Sequence, residues 1–225
     1  MATKSPKKAA DPPISEGRQA VLDTAARLFR VEGYASTSLR DIAAEAGMKA
    51  ASLYHHFESK DAIVLDVLRI GVERVCEHVK TCVAKLPPDA PPQLILQTAI
   101  HSHLQGMFEL QDYTSANVRI FGQVPQHVRE AHVPTRDAYE RYWASLFTRC
   151  AAQGTMDDRR DLRLARLFLI TAMNGTLDWF QGGEVSLKAI SDELTEMMLN
   201  GLLKRPKTDT SEPQSRSSRR MKKGE

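Results

Sequence analysis

The sequence predicts an all-α protein of about nine helices, and three observations carry that prediction. Between residues 18 and 203 period-2 alternation is almost absent, while apolar stripes at helical spacing recur throughout. Helix-opening residues stand just before the stripes, and glycine or proline stands just after them. The two ends, by contrast, are rich in Ser, Pro, Lys and Arg and nearly free of large apolar residues, too few to offset the entropy of ordering. Residues 1–17 and 204–225 are therefore expected to be disordered basic tails.

The elements follow in order. Val21, Leu22, Ala25, Leu28 and Phe29 share one face of a first helix, which Gly33 ends in the manner of a glycine just past a C-terminus. Ser38-Leu-Arg-Asp41 reads as a capping box that opens a short helix through Ile42, Ala43 and Ala46, stopped by Gly47. A third short helix over 49–56 turns Leu53 inward, with Phe57 beside it. Ser59 caps a fourth over 60–86, with Asp61 near its positive end and Pro87-Pro88 as its stop.

Pro91 and Pro92 open a fifth helix with Leu94, Ile95, Ala99, Leu104, Met107 and Phe108 on its inward face. A sixth is expected over 114–123, stopped near Pro125. Around Pro134 a kink or break is expected, because the ring removes a helical donor. Tyr139, Tyr142, Trp143, Leu146, Phe147 and Cys150 line a seventh. The eighth, 162–180, is apolar almost all round from Leu164 onward and is expected to be covered on more than one side. Ser186 caps a ninth, whose stripe is Leu187, Ile190, Leu194, Met197, Met198 and Leu202. No internal repeat is visible.

Composition narrows the function classes. Among 225 residues there are 31 Lys and Arg against 28 Asp and Glu, and 42% are hydrophobic, which excludes a collagen, a disulfide scaffold and a wholly disordered chain. No stretch approaches the roughly 18 apolar residues of a membrane span, and the N-terminus lacks the apolar core of a secretory signal. A cytoplasmic protein with no membrane partner is expected. The net charge of +3 hides an asymmetry: residues 204–225 carry +5, residues 1–17 carry +1 and the remainder carries −3. A basic tail is drawn to DNA phosphates without sequence preference, and a plain solubilising end reads equally well. Cys76, Cys82 and Cys150 lack metal-site spacing and read as small buried hydrophobes.

The order helix, Gly-Tyr turn, short capped helix, glycine, short helix over 18–57 is that of a helix-turn-helix, with the long fourth helix as support. The exposed side of the last short helix offers Lys49, Ser52, Tyr54 and His55, which can donate to phosphates and base edges in a major groove. Val21-Leu-Asp-Thr-Ala-Ala-Arg-Leu-Phe29, Gly33-Tyr34, Thr37-Ser-Leu-Arg-Asp-Ile-Ala43, Ala46-Gly47 and Leu53-Tyr-His-His-Phe57 with Ser59-Lys60 closely resemble the N-terminal DNA-binding domain of TetR-type transcriptional regulators. The resemblance covers about forty consecutive residues with several fixed spacings. It implies a DNA-binding domain over 18–60 and a helical ligand-binding and dimerisation domain over 61–203.

Carried over position by position, the resemblance puts Thr37 and Ser38 at the phosphate backbone and Arg40 on the groove side of the second helix. Tyr54 and His55 fall at the DNA-facing end of the recognition helix, and Lys60 at a phosphate. One departure stands out: Lys49-Ala50 replaces the usual Ser-Lys at the start of the recognition helix, so the hydroxyl cap is missing. Leu53, Phe57, Ile42 and Phe29 are core with no role in recognition, and Tyr54 reads equally well as packing or contact. His55-His56 and His101-x-His103 do not read as metal sites, since adjacent helical residues point about 100° apart.

The resemblance also implies a homodimer through the helices at 162–180 and 187–203, which sets two recognition helices about 34 to 36 Å apart on double-stranded DNA. Between the fourth and eighth helices a small apolar effector is expected to meet Met107, Phe108, Tyr113, Phe121, Tyr139, Tyr142, Trp143, Met173 and Trp179, with Arg119, Gln123 and Asn174 as polar contacts. At helical spacing such residues are more often plain core. A second resemblance is more diffuse. Asn117-Val-Arg-Ile-Phe-Gly-Gln-Val-Pro125, Arg136, Tyr139-Glu-Arg-Tyr-Trp143 and Asn174-Gly-Thr-Leu-Asp-Trp-Phe180 are similar to regulators that respond to acyl-CoA thioesters in lipid or steroid breakdown. That implies Arg119 and its neighbours at the CoA phosphates.

The expected function is ligand-responsive repression, without cofactor, metal or catalysis: no G-x-S-x-G elbow, glycine-rich phosphate loop or metal spacing is present. Two alternatives stay open at this point, an acyl-CoA-binding enzyme and a co-regulator of the same fold that never touches DNA.

Overall fold

The computed structural model describes residues 15–154, 156–157 and 159–202. Among them are nine helices: α1 (Glu16–Glu32), α2 (Leu39–Glu45), α3 (Ala50–Tyr54), α4 (Lys60–Ala84), α5 (Pro92–Glu109), α6 (Gln111–Ile120), α7 (Gln126–Ala152), α8 (Leu162–Trp179) and α9 (Leu187–Leu202). The expected C-terminal tail, 204–225, and residues 1–14 lie outside the described residues, as does the expected last residue of the ninth helix, 203.

Helix ends follow the local chemistry. Ser15 caps α1, accepting from the Arg18 N–H, so α1 opens within the stretch expected as tail. Gly33 ends it at φ 85°, a left-handed value that glycine reaches without strain. The Ser38 hydroxyl accepts from the Asp41 N–H at 3.2 Å while the Asp41 carboxylate accepts from the Ser38 N–H at 2.9 Å, the reciprocal box expected of that sequence. Ser59 caps α4 and Ser186 caps α9. Lys49 stands at the start of α3 with no side-chain cap, as the missing hydroxyl requires.

Of the kink or break expected around Pro134 the break does not occur, for α7 runs unbroken through it for 27 residues. Both Pro134 and Glu130, whose carbonyl loses its helical donor, are exposed, so the lost bond falls on the side open to solvent. The helix expected from Thr114 starts a turn earlier, at Gln111, separated from α5 by Leu110 at φ −114°, ψ 34°.

Two apolar cores hold the chain together, and α4 is the shaft between them. Its first half supplies Ile63, Val64, Val67 and Leu68 to a core with Val21, Leu22, Phe29, Ile42 and Leu53. Its second half supplies Val75, Val79 and Val83 to a core with α5, the end of α7, α8 and α9, centred on the fully buried Trp143. The first core also takes in Tyr113, Ala116 and Ile120 of α6, so the N-terminal helices do not close on themselves. Each fully buried Leu, Ile or Phe in these cores contributes roughly 1.5–3 kcal/mol relative to exposure. Cys76 and Cys150 are buried and Cys82 half-buried, all as free thiols. No helix among the described residues is long and apolar enough to cross a membrane.

Candidate nucleic-acid interface and cavity

The reading face is built from what α2 and α3 leave outside. Ile42 and Leu53 are wholly buried and anchor the two short helices, so the opposite sides must face out. Arg40, Lys49, Ser52, Tyr54 and His55 are exposed there, Tyr54 at 58%. Ser38 is exposed as well, and its hydroxyl, though it accepts from Asp41, keeps its own hydrogen to give. The face is thus a set of cationic, hydroxyl and imidazole groups, suited to phosphate oxygens and purine edges.

Two of the residues expected on this face sit behind it. Thr37 is 1% exposed and its hydroxyl donates to the Gly33 carbonyl at 2.9 Å. The Lys60 ammonium donates to the carbonyls of Tyr34 and Thr37, each at 2.9 Å, and lies 4.1 Å above the Tyr34 ring. Both residues brace the turn between α1 and α2.

A network of polar side chains ties this head to the helices beyond it. Tyr34 donates to Asp61, and burial together with that carboxylate pushes the phenol well above its ordinary pKa. The other Asp61 oxygen meets His127 Nε2 of α7 at 2.8 Å. Arg18 pairs with Asp66 and lies 4.2 Å above the Phe57 ring. Between α1 and α6, Arg30 bonds Asp112 at 2.6 Å, while Tyr113 donates to Asp23 at 2.5 Å and accepts from Gln19 at 3.0 Å.

On the far side of α6 lies a cavity of about 340 Å³. Its wall is Gly71, Val72 and Val75 of α4, His103 and Met107 of α5, Thr114, Asn117 and Val118 of α6, and Phe121 and Gly122 just after it. Arg136, Tyr139 and Glu140 of α7 and Ile170, Asn174 and Leu177 of α8 complete it. Asn117 is fully occupied, donating to the carbonyls of Leu68 (2.8 Å) and Tyr113 (3.2 Å), with its oxygen 3.0 Å from His132 Nε2. Burial, and secondarily Arg136, pushes His132 down to about 4. Arg136 is exposed at the rim, its guanidinium 4.5 Å from the Phe121 ring centre. The size falls at the lower end of small-molecule sites.

Of the residues expected to meet an effector, Met107, Phe121, Tyr139 and Asn174 line this cavity. The others stand elsewhere. Trp143 and Met173 are filled core, Phe108 packs edge-on against Phe180 at 5.0 Å, and Tyr113 faces α1. Arg119 is exposed and pairs with Asp178 at 3.8 Å, Gln123 bonds the Arg119 carbonyl, Tyr142 lies under Lys80, and Trp179 is 59% exposed. The sequence reading missed His103, Thr114, Asn117, Ile170 and Leu177. A signal for His103 existed, since it sits four residues from both Ala99 and Met107 on the inward stripe of its helix, where a polar residue is out of place.

Within a single protomer the eighth helix is covered on one side. Leu169, Met173 and Leu177 face the core, while Leu164 (47% exposed), Phe168 (68%) and Trp179 form an apolar stripe facing out, with Met197 exposed on α9.

Known proteins resemble the chain in both halves. Residues 21–67 match the model of "Bacterial regulatory proteins, tetR family", and residues 89–202 match "Tetracyclin repressor-like, C-terminal domain". The HTH-type transcriptional repressor KstR2 of Rhodococcus jostii (strain RHA1) is 27% identical over 206 residues, covering 88% of this chain and 97% of the relative. The solved ketosteroid transcriptional regulator KstR2 of Mycobacterium tuberculosis has a TM-score of 0.73 at 21% identity, covering 86% of this chain and 98% of that one. The fatty acid degradation regulator FadR from Bacillus halodurans has a TM-score of 0.73 at 15% identity, covering 84% and 98%.

Proposed function

The chain belongs to the tetR family of bacterial regulatory proteins, DNA-binding regulators of transcription, and on that premise we propose that it is a homodimeric repressor released from its operator by a small, largely apolar effector. The observation that carries this reading is the position of the cavity. It is walled by α4 and α6, and both helices are bonded directly to the DNA-reading head, α4 through Tyr34–Asp61 and Arg18–Asp66 and α6 through Arg30–Asp112 and Tyr113–Asp23. In this reading residues 18–60 act as the head and 61–203 as the effector and dimer body.

The reading face consists of Ser38, Arg40, Lys49, Ser52, Tyr54 and His55, with Thr37 and Lys60 placing it. Filling the cavity moves α6 against α4, and the Tyr113–Asp23 and Arg30–Asp112 bonds carry that movement into α1. Two heads that no longer match successive major grooves lose operator affinity. A 100-fold loss requires only about 2.8 kcal/mol of differential effector binding between the two states.

Acyl-CoA thioesters are the proposed effector class, in line with the breakdown regulators that the chain resembles. The cavity accommodates the acyl part alone, which leaves the CoA phosphates to Arg136 at the rim and to Arg119, next to the lining residue Val118. The test is an anisotropy titration against DNA from immediately upstream of the protein's own gene, with competitor DNA and at two salt concentrations, followed by a panel of acyl-CoAs. Competitor-resistant binding released by a panel member is expected. Binding lost equally to competitor overturns sequence-specific repression, and operator binding indifferent to the whole panel overturns the effector class.

A further inference from the structure

The inner wall of the cavity holds a buried imidazole nitrogen that makes no hydrogen bond of good geometry. His103 lines the cavity and is 3% exposed; its Nε2 makes no hydrogen bond of good geometry, although the Asn174 side chain on the same wall lies close enough to act on the ring, whereas Nδ1 lies 2.6 Å from the Tyr139 hydroxyl. Buried polar atoms in native proteins almost always have a partner, so an orphan on a cavity wall points to what the cavity takes in. The apolar neighbours on the same wall are Met107, Ile170 and Leu177.

The protonation pattern follows from counting hydrogens. If Tyr139 donates to Nδ1, the phenol and Nδ1 are both satisfied and the single orphan is an Nε2–H. If Nδ1–H donates to Tyr139 instead, two groups are left over, the phenol hydrogen and the Nε2 lone pair. The first arrangement strands one group fewer and is favoured in a site where each costs desolvation. Burial pushes the ring down to about 4, partly offset by Asn174, so the imidazole is neutral at pH 7. A neutral N–H calls for an acceptor. A carboxylate is disfavoured this deep by desolvation, while Glu140 on the same cavity is already paired with Arg166 and the cationic Arg136 stands at the exposed rim.

Building on the effector reading above, we propose that the cavity selects apolar molecules carrying an uncharged carbonyl at their buried end, which accepts a hydrogen bond from His103 Nε2–H. In an acyl thioester this oxygen is a keto group on the acyl part or the thioester carbonyl itself. Tyr139 is a positioning residue that holds the ring in the donating tautomer.

The first measurement needs no ligand. Long-range 15N–1H spectra of the full-length protein are expected to show His103 as the neutral Nε2–H tautomer at pH 7. An Nδ1–H tautomer, or a protonated ring at that pH, overturns the proposal. The second uses a shape-matched pair, 2-nonanone and 2-methyl-1-nonene, which differ only in replacing C=O by C=CH2. The ketone-to-alkene affinity ratio is expected to fall by about tenfold in His103→Phe and to recover in part in His103→Gln, which restores a donor. An unchanged ratio in both variants overturns it. If the ketone bonds His103 yet leaves operator binding untouched, the carbonyl site stands and the effector reading falls. If an acyl-CoA releases the operator equally well from wild type and His103→Phe, the reverse holds.

Discussion

At the scale of single residues, the two lysines of the reading head divide the work. Lys49 is exposed at the start of α3 with no bond to its side chain given by the helix end, whereas Lys60 gives two of its three hydrogens to the Tyr34 and Thr37 carbonyls. An ammonium on a phosphate releases counterions and steepens the salt dependence; an ammonium spent on backbone carbonyls holds geometry instead. Lys49→Ala is therefore expected to flatten the slope of log affinity against log salt by about one unit for specific and nonspecific DNA alike. Lys60→Ala is expected to weaken operator binding more than nonspecific binding, with little change in slope, and to lower the thermal midpoint. Anisotropy titrations over a salt series check both, and a full-unit change of slope in Lys60→Ala would return that residue to the phosphate contacts. The sequence pattern locates these residues well but cannot tell which of them is spent internally, because that depends on where two carbonyls of an irregular turn come to lie.

At the scale of elements, the close crossing of α4 and α6 joins the cavity to the head. A Cβ at Gly71 would lie 2.5 Å from Asn117 Nδ2 and 2.7 Å from the Tyr113 carbonyl, distances that no real side chain tolerates. Gly71→Ala adds helix propensity, worth about 1 kcal/mol in an exposed helix. It must nevertheless push the helices apart, at a typical cost of 1–3 kcal/mol, which leaves a net loss of up to about 2 kcal/mol. A lowered urea midpoint and an altered effector response are expected, and a stabilised protein would show that the crossing is not tight. Nothing in the sequence marks Gly71, since a glycine inside an apolar stripe reads only as a mild helix weakener. Helix order, by contrast, was legible because the caps at Ser38, Ser59 and Ser186 act within one turn. The break weighed at Pro134 is absent for a physical reason: the cost of a helical proline depends on whether the stranded carbonyl is exposed, which only the packing of α7 decides. The cavity was half legible. Aromatic and Met residues on one stripe look alike whether they fill a core, as Trp143 and Met173 do, or line a void, as Tyr139 and Met107 do.

At the scale of the whole molecule, one protomer leaves an apolar face that a single core does not use. Leu164 and Phe168 are one turn apart on α8, and Trp179 continues the stripe toward its end. Gly175 lies along the same line, with nothing within 4 Å of where its Cβ would be. Inside a protomer that glycine has no packing reason and costs about 1 kcal/mol against Ala. Against a second helix it allows close approach of the backbones. The core side of α8, Leu169, Met173 and Leu177, is separate from this stripe, so a charge placed on the stripe should break the dimer and spare the fold. Phe168→Glu sets two carboxylates into an isologous interface, once from each subunit, and desolvates both. Sedimentation is expected to find wild type as a dimer at micromolar concentration and Phe168→Glu as a monomer with unchanged helical circular dichroism. Because a single head gives up half of its phosphate and base contacts, operator affinity should fall by two orders of magnitude or more while nonspecific binding falls far less. A Phe168→Glu protein that sediments as a dimer would place the interface elsewhere and leave the α8 stripe without a partner.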